Sequence, residues 1–461
     1  MGGFDSDDSC NHCAWWSWLK MGSDDWWDGL CASRAKIDCL CTLTRDQTAS
    51  RFLGNSTLRA TIYPWNNLHI GRIVLARWLC GNRQKDCLWT QGETKGVELN
   101  MSSLHTIGQW TTDRALATPD RVAIDDRGVL VTYKELDRRA TNLAQSFYDH
   151  GYSVGDRIAT LSGNSADQVV LFFACAKAGL ALVPISWRLS SSEVAEQIQT
   201  VRRALLVVED EFSSLAKEAI EKLIDPPTTA PFGVVGLESN MPNSLSANQT
   251  IREVTDSDDL LIVFTSGTVD KPKAPILTHS NCFWTNLSLS RIAEITSEDT
   301  VLSVMPQYHA GGWNIQPLLG WWMGATVVLE RTFDAGRVLH LIEQRKITSM
   351  MGVPANYLFL AEHPDFHKTE LSSLKHAIVG GAPMPEPLLR TWHQRGVALT
   401  QGYGLTEASP NVLCLADEDA TKRIGSAGRP YPHVSVKVVD PVTNEELEGE
   451  ATGELLVGGP G

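Results

Sequence analysis

Apolar and polar positions alternate in a regular order from Met101 onward. In residues 133–147 apolar side chains recur every three or four positions, which predicts a helix with one buried face. That face comprises Leu136, Ala140, Leu143, Ala144 and Phe147. Helices are also predicted at 166–178 and 190–200, and strands at 157–161, 180–185, 204–208, 260–264, 301–305, 325–329, 376–379 and 434–439. The order predicts an α/β fold of mostly parallel sheets with crossover helices, and a short β-rich part near the C-terminus.

Two segments do not follow this alternation. Residues 226–250 begin with prolines and continue with many Asn and Ser residues, so we predict a surface connection there. Residues 169–187 are the most membrane-like stretch, but they contain Lys177, Gly179 and Pro184. A membrane span needs about 20 clean apolar residues. We therefore interpret this stretch as a buried helix followed by a buried strand, and we expect no membrane span.

Composition narrows the class of protein. The 461 residues are 43% hydrophobic and 20% charged, which is enough apolar material for a large core and excludes dominant disorder. The formal net charge of −14 argues against a nucleic-acid binder with a broad basic face, although a local basic pocket remains compatible with it. The first residues carry Asp5, Asp7 and Asp8 where a signal peptide would need cations, so we expect a cytoplasmic protein.

Residues 1–100 differ from the rest of the chain. Seven of the ten Cys and eight of the fifteen Trp lie there, without a sustained period of 2 or 3.6. Cys10 and Cys13 have half of a zinc-ribbon spacing, which Cys39 and Cys41 do not complete. A zinc or redox module stays open as an alternative. We interpret residues 1–100 as an atypical Cys- and Trp-rich extension rather than a folded domain, from an upstream translation or a mis-set start, and 101–461 as the domain.

Residues 265–279 hold the most informative chemistry. Hydroxyl groups surround a glycine directly after the strand at 260–264, and Lys271 and Lys273 follow. A loop of this kind can wrap phosphate oxygens with backbone N–H groups and side-chain donors. It lacks the spacing of a Walker A loop. From these residues alone, a phosphate loop and a polar turn with lysines are equal alternatives.

This segment resembles the phosphate loop of the adenylate-forming, or AMP-binding, enzymes, which include acyl-CoA synthetases, peptide-synthetase adenylation domains and firefly luciferase. The family loop reads T-S-G-T-T-G-x-P-K-G. The matching residues are Thr265, Ser266, Gly267, Thr268, Pro272 and Lys273. Val269, Asp270 and Ala274 depart from it. Glycine permits close approach to phosphate, and Asp270 adds a negative charge, so these departures predict weaker ATP binding.

Residues 401–407 read Q-G-Y-G-L-T-E and match the family motif Y-G-x-T-E. Gly402 and Gly404 allow a tight turn around Tyr403, whose ring can stack on a purine. Thr406 offers a hydroxyl group to a phosphate. Glu407 offers the hard carboxylate that suits Mg²⁺.

Further segments match the family in order from about residue 110 to 461. Residues 380–385 resemble the loop beside the adenine, and 425–430 and 452–460 resemble the end of the family's large N-terminal domain. Residues 305–314 resemble its P-x-F-H-x-x-G segment, which would place His309 beside the acyl carboxylate. For Trp313, a gate of the acyl tunnel and a core residue are equal alternatives.

The resemblance implies an acyl-CoA synthetase that uses ATP, Mg²⁺ and coenzyme A to activate a carboxylic acid of fatty type through an acyl-adenylate. It assigns catalytic roles to Thr265, Lys273, His309 and Glu407, and Mg²⁺ ligation to Thr265 and Glu407. Phosphate contacts fall to Thr265, Ser266, Gly267, Thr268, Lys273 and Thr406. Adenine contacts fall to Gly381, Ala382 and Tyr403, and Gly402 and Gly404 count as further cofactor-binding residues.

In the family, a ribose-binding Asp, a hinge and a small C-terminal domain with a catalytic lysine come after the position of Gly461. We therefore expect this chain to carry the large domain only, without the small domain, and its full turnover to be very slow or absent. Two alternatives stay open, an inactive adenylate-binding remnant and a stand-alone adenylation domain that loads a carrier protein. The sequence does not identify the acid or the oligomeric state.

Overall fold

The computed structural model describes residues 105–202, 205–232, 237, 241–244, 253–265 and 272–461. The atypical extension at 1–100, with its candidate zinc or redox cysteines, lies outside these residues. The described strands are β1 (Val122–Asp126), β2 (Val129–Thr132), β3 (Arg157–Leu161), β4 (Ala181–Ile185), β5 (Leu205–Glu209), β6 (Thr228–Phe232), β7 (Asp259–Ile262), β8 (Ile276–Thr278), β9 (Thr300–Ser303), β10 (Thr326–Leu329), β11 (Ser349–Gly352), β12 (His376–Val379), β13 (Thr400–Gly404), β14 (Asn411–Cys414), β15 (Arg429–Pro430), β16 (Ser435–Val439) and β17 (Glu454–Gly458).

Helices connect most of these strands. The described α-helices are α1 (Gly108–Ala117), α2 (Tyr133–Asp149), α3 (Ala166–Ala178), α4 (Ser191–Val201), α5 (Ser213–Ile220), α6 (His279–Leu289), α7 (Gly311–Asn314), α8 (Pro317–Met323), α9 (Ala335–Gln344), α10 (Pro354–Glu362) and α11 (Glu386–Gln394). Within the described residues, none of them is both long and apolar enough to cross a membrane.

The strands form two large sheets and a small one. One sheet has the order β6-β5-β3-β4-β7-β8, and its strands are parallel except for β8. The second has the order β15-β14-β13-β12-β11-β9-β10-β1-β2, with a parallel centre from β13 to β1 and antiparallel strands at both ends. Strands β16 and β17 form an antiparallel pair near the C-terminus. The fold predicted from the alternation of segments is therefore confirmed.

Helices α2 and α3 belong to a core that both large sheets share. Helix α3 packs against β1 of one sheet and β4 of the other, and nearly all of its side chains are buried. Helices α4 and α5 cover the outer face of the six-stranded sheet, and α9, α10 and α11 cover that of the nine-stranded sheet. Because parallel strands need apolar cover on both faces, this layering explains the nearly continuous apolar runs of the central strands.

Local prediction agrees with most of these elements. The five residues of the predicted face of α2 are all buried, and Thr132 begins the helix by accepting a hydrogen bond from the backbone N–H of Glu135. The prediction for residues 226–250 is wrong at its start, because β6 runs parallel to β5 there. The strand was not predicted because it contains Pro231, and proline lacks a backbone N–H donor. Since β6 lies at the edge of the sheet, the missing donor is tolerated there.

The side chain of Asn164 joins the two large sheets. Asn164 follows β3, and its Nδ2 donates to the carbonyl groups of Met305 (2.9 Å) and Glu330 (3.1 Å), which follow β9 and β10. Its Oδ1 accepts from the backbone N–H of Gln307 at 2.8 Å. Only 4% of Asn164 is exposed, so these three backbone groups depend on one carboxamide for their pairing.

Replacing Asn164 with Ala removes all three bonds in a buried site. We expect Asn164→Ala to lower the free energy of unfolding by about 3 kcal/mol, because buried backbone groups lose their partners. Asn142 lies exposed on α2 and provides a matched control. Asn142→Ala should change the free energy by less than about 0.5 kcal/mol. Urea unfolding of both variants measures the difference, and equal midpoints would contradict the proposed link between the sheets.

Candidate functional site

Several residues predicted from the sequence lie after neighbouring parallel strands of the nine-stranded sheet. Gly381 and Ala382 follow β12, whereas Gly402, Tyr403 and Gly404 end β13. His309 follows β9, two strands from β12. Because β9, β11, β12 and β13 are parallel, their carboxyl ends lie at one edge, where open α/β sheets bind ligands.

The backbone at the end of β13 is packed so closely that it requires glycine. A Cβ atom added to Gly404 would lie 1.6 Å from the carbonyl oxygen of Pro410. One added to Gly380 would lie 3.2 Å from the carbonyl oxygen of Gly402. The ring of Tyr403 stays 43% exposed between these glycines. The packing thus requires glycine at Gly404, and the ring of Tyr403 next to it has an accessible face beside the loop after β12.

Thr406 and Glu407 belong to a 3₁₀ turn, Thr406–Ala408, directly after β13. Glu407 is exposed, and no ion pair to it is found among the described residues. The described residues also contain no group of three or more His, Cys, Asp or Glu side chains that could hold a metal ion. A single free carboxylate suits Mg²⁺ that is brought by a nucleotide, since such an ion takes most of its ligands from phosphates and water.

Thr265 and Lys273 face each other where the candidate phosphate loop begins and ends. The N–H of Thr265 donates to the carbonyl oxygen of Lys273 at 2.9 Å, and the N–H of Lys273 donates back at 3.2 Å. This bridge closes the base of the loop, and the side chain of Lys273 is exposed. The predicted phosphate ligands Ser266, Gly267 and Thr268 lie outside the described residues.

Helix α6, which follows this loop and β8, contacts segments near the other motifs. Thr285 Oγ1 accepts from Asn411 Nδ2 at 3.1 Å, four residues after Glu407. Asn281 Nδ2 donates to the carbonyl oxygen of Pro460 at 3.1 Å, and Ser288 Oγ donates to that of Pro432 at 2.6 Å. The structure therefore links the two motif regions through α6. It shows no direct hydrogen bond from Thr265 or Lys273 to Glu407.

His309 and Trp313 have different environments. His309 keeps much of its surface exposed, yet surrounding protein displaces water from its ring, and this desolvation and the charge of Arg188 lower its pKa. A neutral imidazole beside an acyl group can accept or donate a hydrogen bond. Trp313 is fully buried, stacks on Phe172 with ring centroids 4.5 Å apart, and donates Nε1–H to the carbonyl oxygen of Gln307. The structure favours the core alternative for Trp313.

The residues that hold this site in shape were not assigned roles from the sequence. Only 7% of the surface of Gln401 is exposed. Its carboxamide forms hydrogen bonds to Met384 and Ser426, which lie in two of the motif segments. Asn164 fixes the backbone at Gln307, two residues before His309. No local pattern marks either residue, because their partners are distant in sequence. The one sequence signal that could have indicated these two residues is an amide side chain next to an apolar strand.

Two grooves of the described surface lie away from the motif residues. A groove of about 470 Å³ lies among Asp126, Val129, Ser165 and Phe232, and its walls include none of the predicted site residues. A smaller groove of about 250 Å³ lies near Lys368 and Arg395. The candidate site is therefore placed by the converging loops and not by either of these two grooves.

Comparison with known proteins decides the family. The sequence model of the AMP-binding enzymes matches residues 111–461. The chain belongs to the AMP-binding enzyme family. By family it is an AMP-forming acid–thiol ligase.

Individual relatives agree with this membership. Feruloyl-CoA synthase of Amycolatopsis sp is 33% identical over 355 residues, which cover 77% of this chain and 70% of that protein. The long-chain-fatty-acid–CoA ligase FadD13 of Mycobacterium tuberculosis is 30% identical over 353 residues, covering 75% and 70%. The crystal structure of the N-terminal domain of FACL13 from Mycobacterium tuberculosis superposes with a TM-score of 0.70 at 27% identity, covering 77% of this chain and 89% of that one.

The close packing at Gly404 gives a structural test of this AMP-binding chain. Gly404→Ala would force the turn at Thr406–Ala408 away from Pro410, so we expect a loss of about 3 kcal/mol in the free energy of unfolding. Gly458 of β17 has open space where its Cβ would lie, and Gly458→Ala is the control. Chemical unfolding of both variants measures the effect. Equal stabilities would show that the turn moves freely, contrary to the packing.

His279, the first residue of α6, makes stability depend on pH. Burial lowers its pKa from 6.5 to about 4, with the negative charge of Asp258 partly opposing this effect. Its Nδ1 accepts from the backbone N–H of Ile107 at 3.0 Å, so the folded protein holds the neutral ring. Between pH 6.5 and 4 the unfolded chain binds a proton here that the folded protein does not. Stability should therefore fall as pH falls through this window, by about 3 kcal/mol.

The variant His279→Asn isolates this contribution, because its Oδ1 can replace Nδ1 as the acceptor for Ile107. We expect unfolding free energies measured from pH 7 to pH 4 to fall less steeply for His279→Asn than for the unmodified chain. Parallel curves would show that His279 does not titrate in this range.

Proposed function

We propose that this chain activates a carboxylic acid with ATP and transfers the acyl group to coenzyme A. The observation that carries the proposal is the convergence of Gly381, Tyr403, Glu407 and His309 at one sheet edge, in a chain of the AMP-binding family. Residues 101–461 act as the large domain of such an enzyme. The reaction forms an acyl-adenylate and then an acyl thioester.

Each group has a role in this reaction. The substrate carboxylate oxygen attacks the α-phosphorus of ATP, and the bond to the bridging oxygen of pyrophosphate breaks. The thiol of coenzyme A then loses its proton and attacks the acyl carbon, and AMP leaves with the bonding electrons. Lys273 and the hydroxyl of Thr265 offset the negative charge of the phosphates, as Ser266, Gly267 and Thr268 do through donors. His309 orients the acyl carboxylate.

The adenine lies between the loop of Gly381 and Ala382 and the ring of Tyr403, and Gly402 and Gly404 keep that ring accessible. The hydroxyl of the half-buried Thr406 contacts the phosphates. The carboxylate of Glu407, with Thr265, would hold Mg²⁺, which would neutralise phosphate charge. Glu407 forms no ion pair with any described residue, which supports this role.

The acid is proposed to be of fatty type, because the relative FadD13 is a long-chain-fatty-acid–CoA ligase. The enzyme is proposed to act in the cytoplasm. An aromatic acid is a second candidate, because feruloyl-CoA synthase matches this chain at slightly higher identity. Both candidates use the same adenylate site. They differ only in the group beyond the carboxylate.

Calorimetric titration of the full 461-residue chain with non-hydrolysable acyl-adenylate mimics tests the proposal. The panel contains a short alkyl, a long alkyl and a cinnamoyl mimic. Affinity that rises with alkyl length supports the fatty acid, and strongest binding of the cinnamoyl mimic supports the aromatic acid. Absence of binding by a folded sample contradicts the adenylate site itself.

The proposed role of Glu407 predicts a loss that depends on Mg²⁺. We expect Glu407→Gln to weaken binding of ATP in the presence of Mg²⁺ about tenfold, or about 1.4 kcal/mol, because a neutral amide is a poorer ligand for this ion. In the presence of a chelator the variant should equal the unmodified chain. Glu418 is also exposed and lies nearby in sequence, so Glu418→Gln is the matched control. Equal losses in both variants would exclude Glu407 as the Mg²⁺ ligand.

A further inference from the structure

Gln401 lies in β13 and connects this strand to two loops of the candidate site through its side chain. Its Oε1 accepts from the backbone N–H of Met384 at 3.1 Å, in the loop after β12. Its Nε2 donates to the carbonyl oxygen of Ser426 at 3.2 Å, in the loop before β15. Gln401 itself immediately precedes Gly402 and Tyr403. One carboxamide thus links the strand end that carries Tyr403 to the loop after β12, which contains Gly381 and Ala382, and to the loop of Ser426.

The backbone ladder cannot hold these loops together. Strands β12 and β13 pair only at two positions, Ile378 with Thr400 and Val379 with Gln401. Beyond Gln401, the chain on the β12 side turns at Gly381, whose φ is +80°. The bond from Gln401 to Met384 therefore connects the two segments where strand pairing has ended.

The backbone of Gln401 is satisfied separately, since its carbonyl oxygen accepts from the N–H of Leu415 at 3.0 Å. Its side chain is buried, and both of its polar atoms are used. A buried amide with two loop partners has few alternative positions, because any rotation would leave polar groups unpaired. The loop at Ser426 also packs closely against β14, because a Cβ atom added to Gly428 would lie 2.0 Å from the carbonyl oxygen of Cys414.

We propose that Gln401 is a positioning residue that sets the distance between the adenine loop at Gly381 and the ring of Tyr403. This inference rests on the proposed function, in which those two segments hold the nucleotide. Gln401 does not touch the substrate. It acts through Met384 and Ser426, and its loss changes nucleotide binding by letting the loops separate.

Three variants test this proposal in the full chain. Gln401→Met keeps the length of the side chain and removes both hydrogen bonds. Gln168→Met is the control, because Gln168 is 1% exposed and its Nε2 donates to Thr160 Oγ1, away from the motif loops. Gln401→Glu keeps the acceptor for Met384 and can donate to Ser426 only when the carboxyl group is protonated.

ATP affinity is measured by calorimetry and amide protection by hydrogen exchange without nucleotide. We expect Gln401→Met to bind ATP about 10- to 100-fold more weakly, because small displacements of positioning groups have effects of this size. Exchange at the amide of Met384 should accelerate in this variant. Gln168→Met should retain ATP affinity, even if both variants unfold at a lower temperature than the unmodified chain.

The pH dependence of Gln401→Glu separates positioning from simple loss of packing. As pH falls from 8.5 to 5.5, protonation restores the missing donor, so the ATP affinity of this variant relative to the unmodified chain should rise. A constant ratio, unchanged ATP affinity of Gln401→Met, or unchanged protection of Met384 would overturn the proposal. If the unmodified chain binds no ATP while Met384 still loses protection in Gln401→Met, the nucleotide function fails and the link between the loops stands.

Discussion

The structure depends on the connection that Asn164 makes between two sheets that share no strand. Each sheet can satisfy its own backbone ladder, but the ends of β9 and β10 carry groups that no strand pairs with. Asn164 bonds to three of them from the end of β3. The segment from Met305 to His309 is therefore fixed relative to both sheets. Since this position is buried, loss of the carboxamide leaves polar groups without water or protein partners.

The candidate site uses the same physical solution a second time. Strand pairing places the bases of the loops at one edge, but the pairing of β12 with β13 ends at Val379 and Gln401, before Gly381 and Tyr403. Beyond that point, Gln401 holds the loops of Met384 and Ser426, and Asn411 bonds to Thr285 and to the carbonyl oxygen of Asn314. The sheet thus provides the direction of the loops, and side-chain amides set the distances between them.

This division explains what could be predicted from the sequence. The apolar face of α2 and the central strands repeat over short distances, so their pattern indicated the elements to within a few residues. Strand β6 was missed because Pro231 is typical of loops, and only its position at the edge makes it acceptable. The partners of Asn164 lie 141 to 166 residues away, so no local period reports them. Glycines of the motif were recognisable, whereas the carbonyl of Pro410 that requires Gly404 was not.

The chemistry of the connecting residues follows from what they must bond. Asn164, Gln401 and Asn411 are each buried, and Asn164 and Gln401 each donate to a carbonyl oxygen while accepting from a backbone N–H. A carboxamide does both without charge, whereas an ionised carboxylate only accepts and an ammonium group only donates. A buried charge would also be costly and would change the potential near the proposed phosphate position. Neutral amides therefore fix the loops and leave the charge of the proposed site to exposed residues such as Lys273 and Glu407.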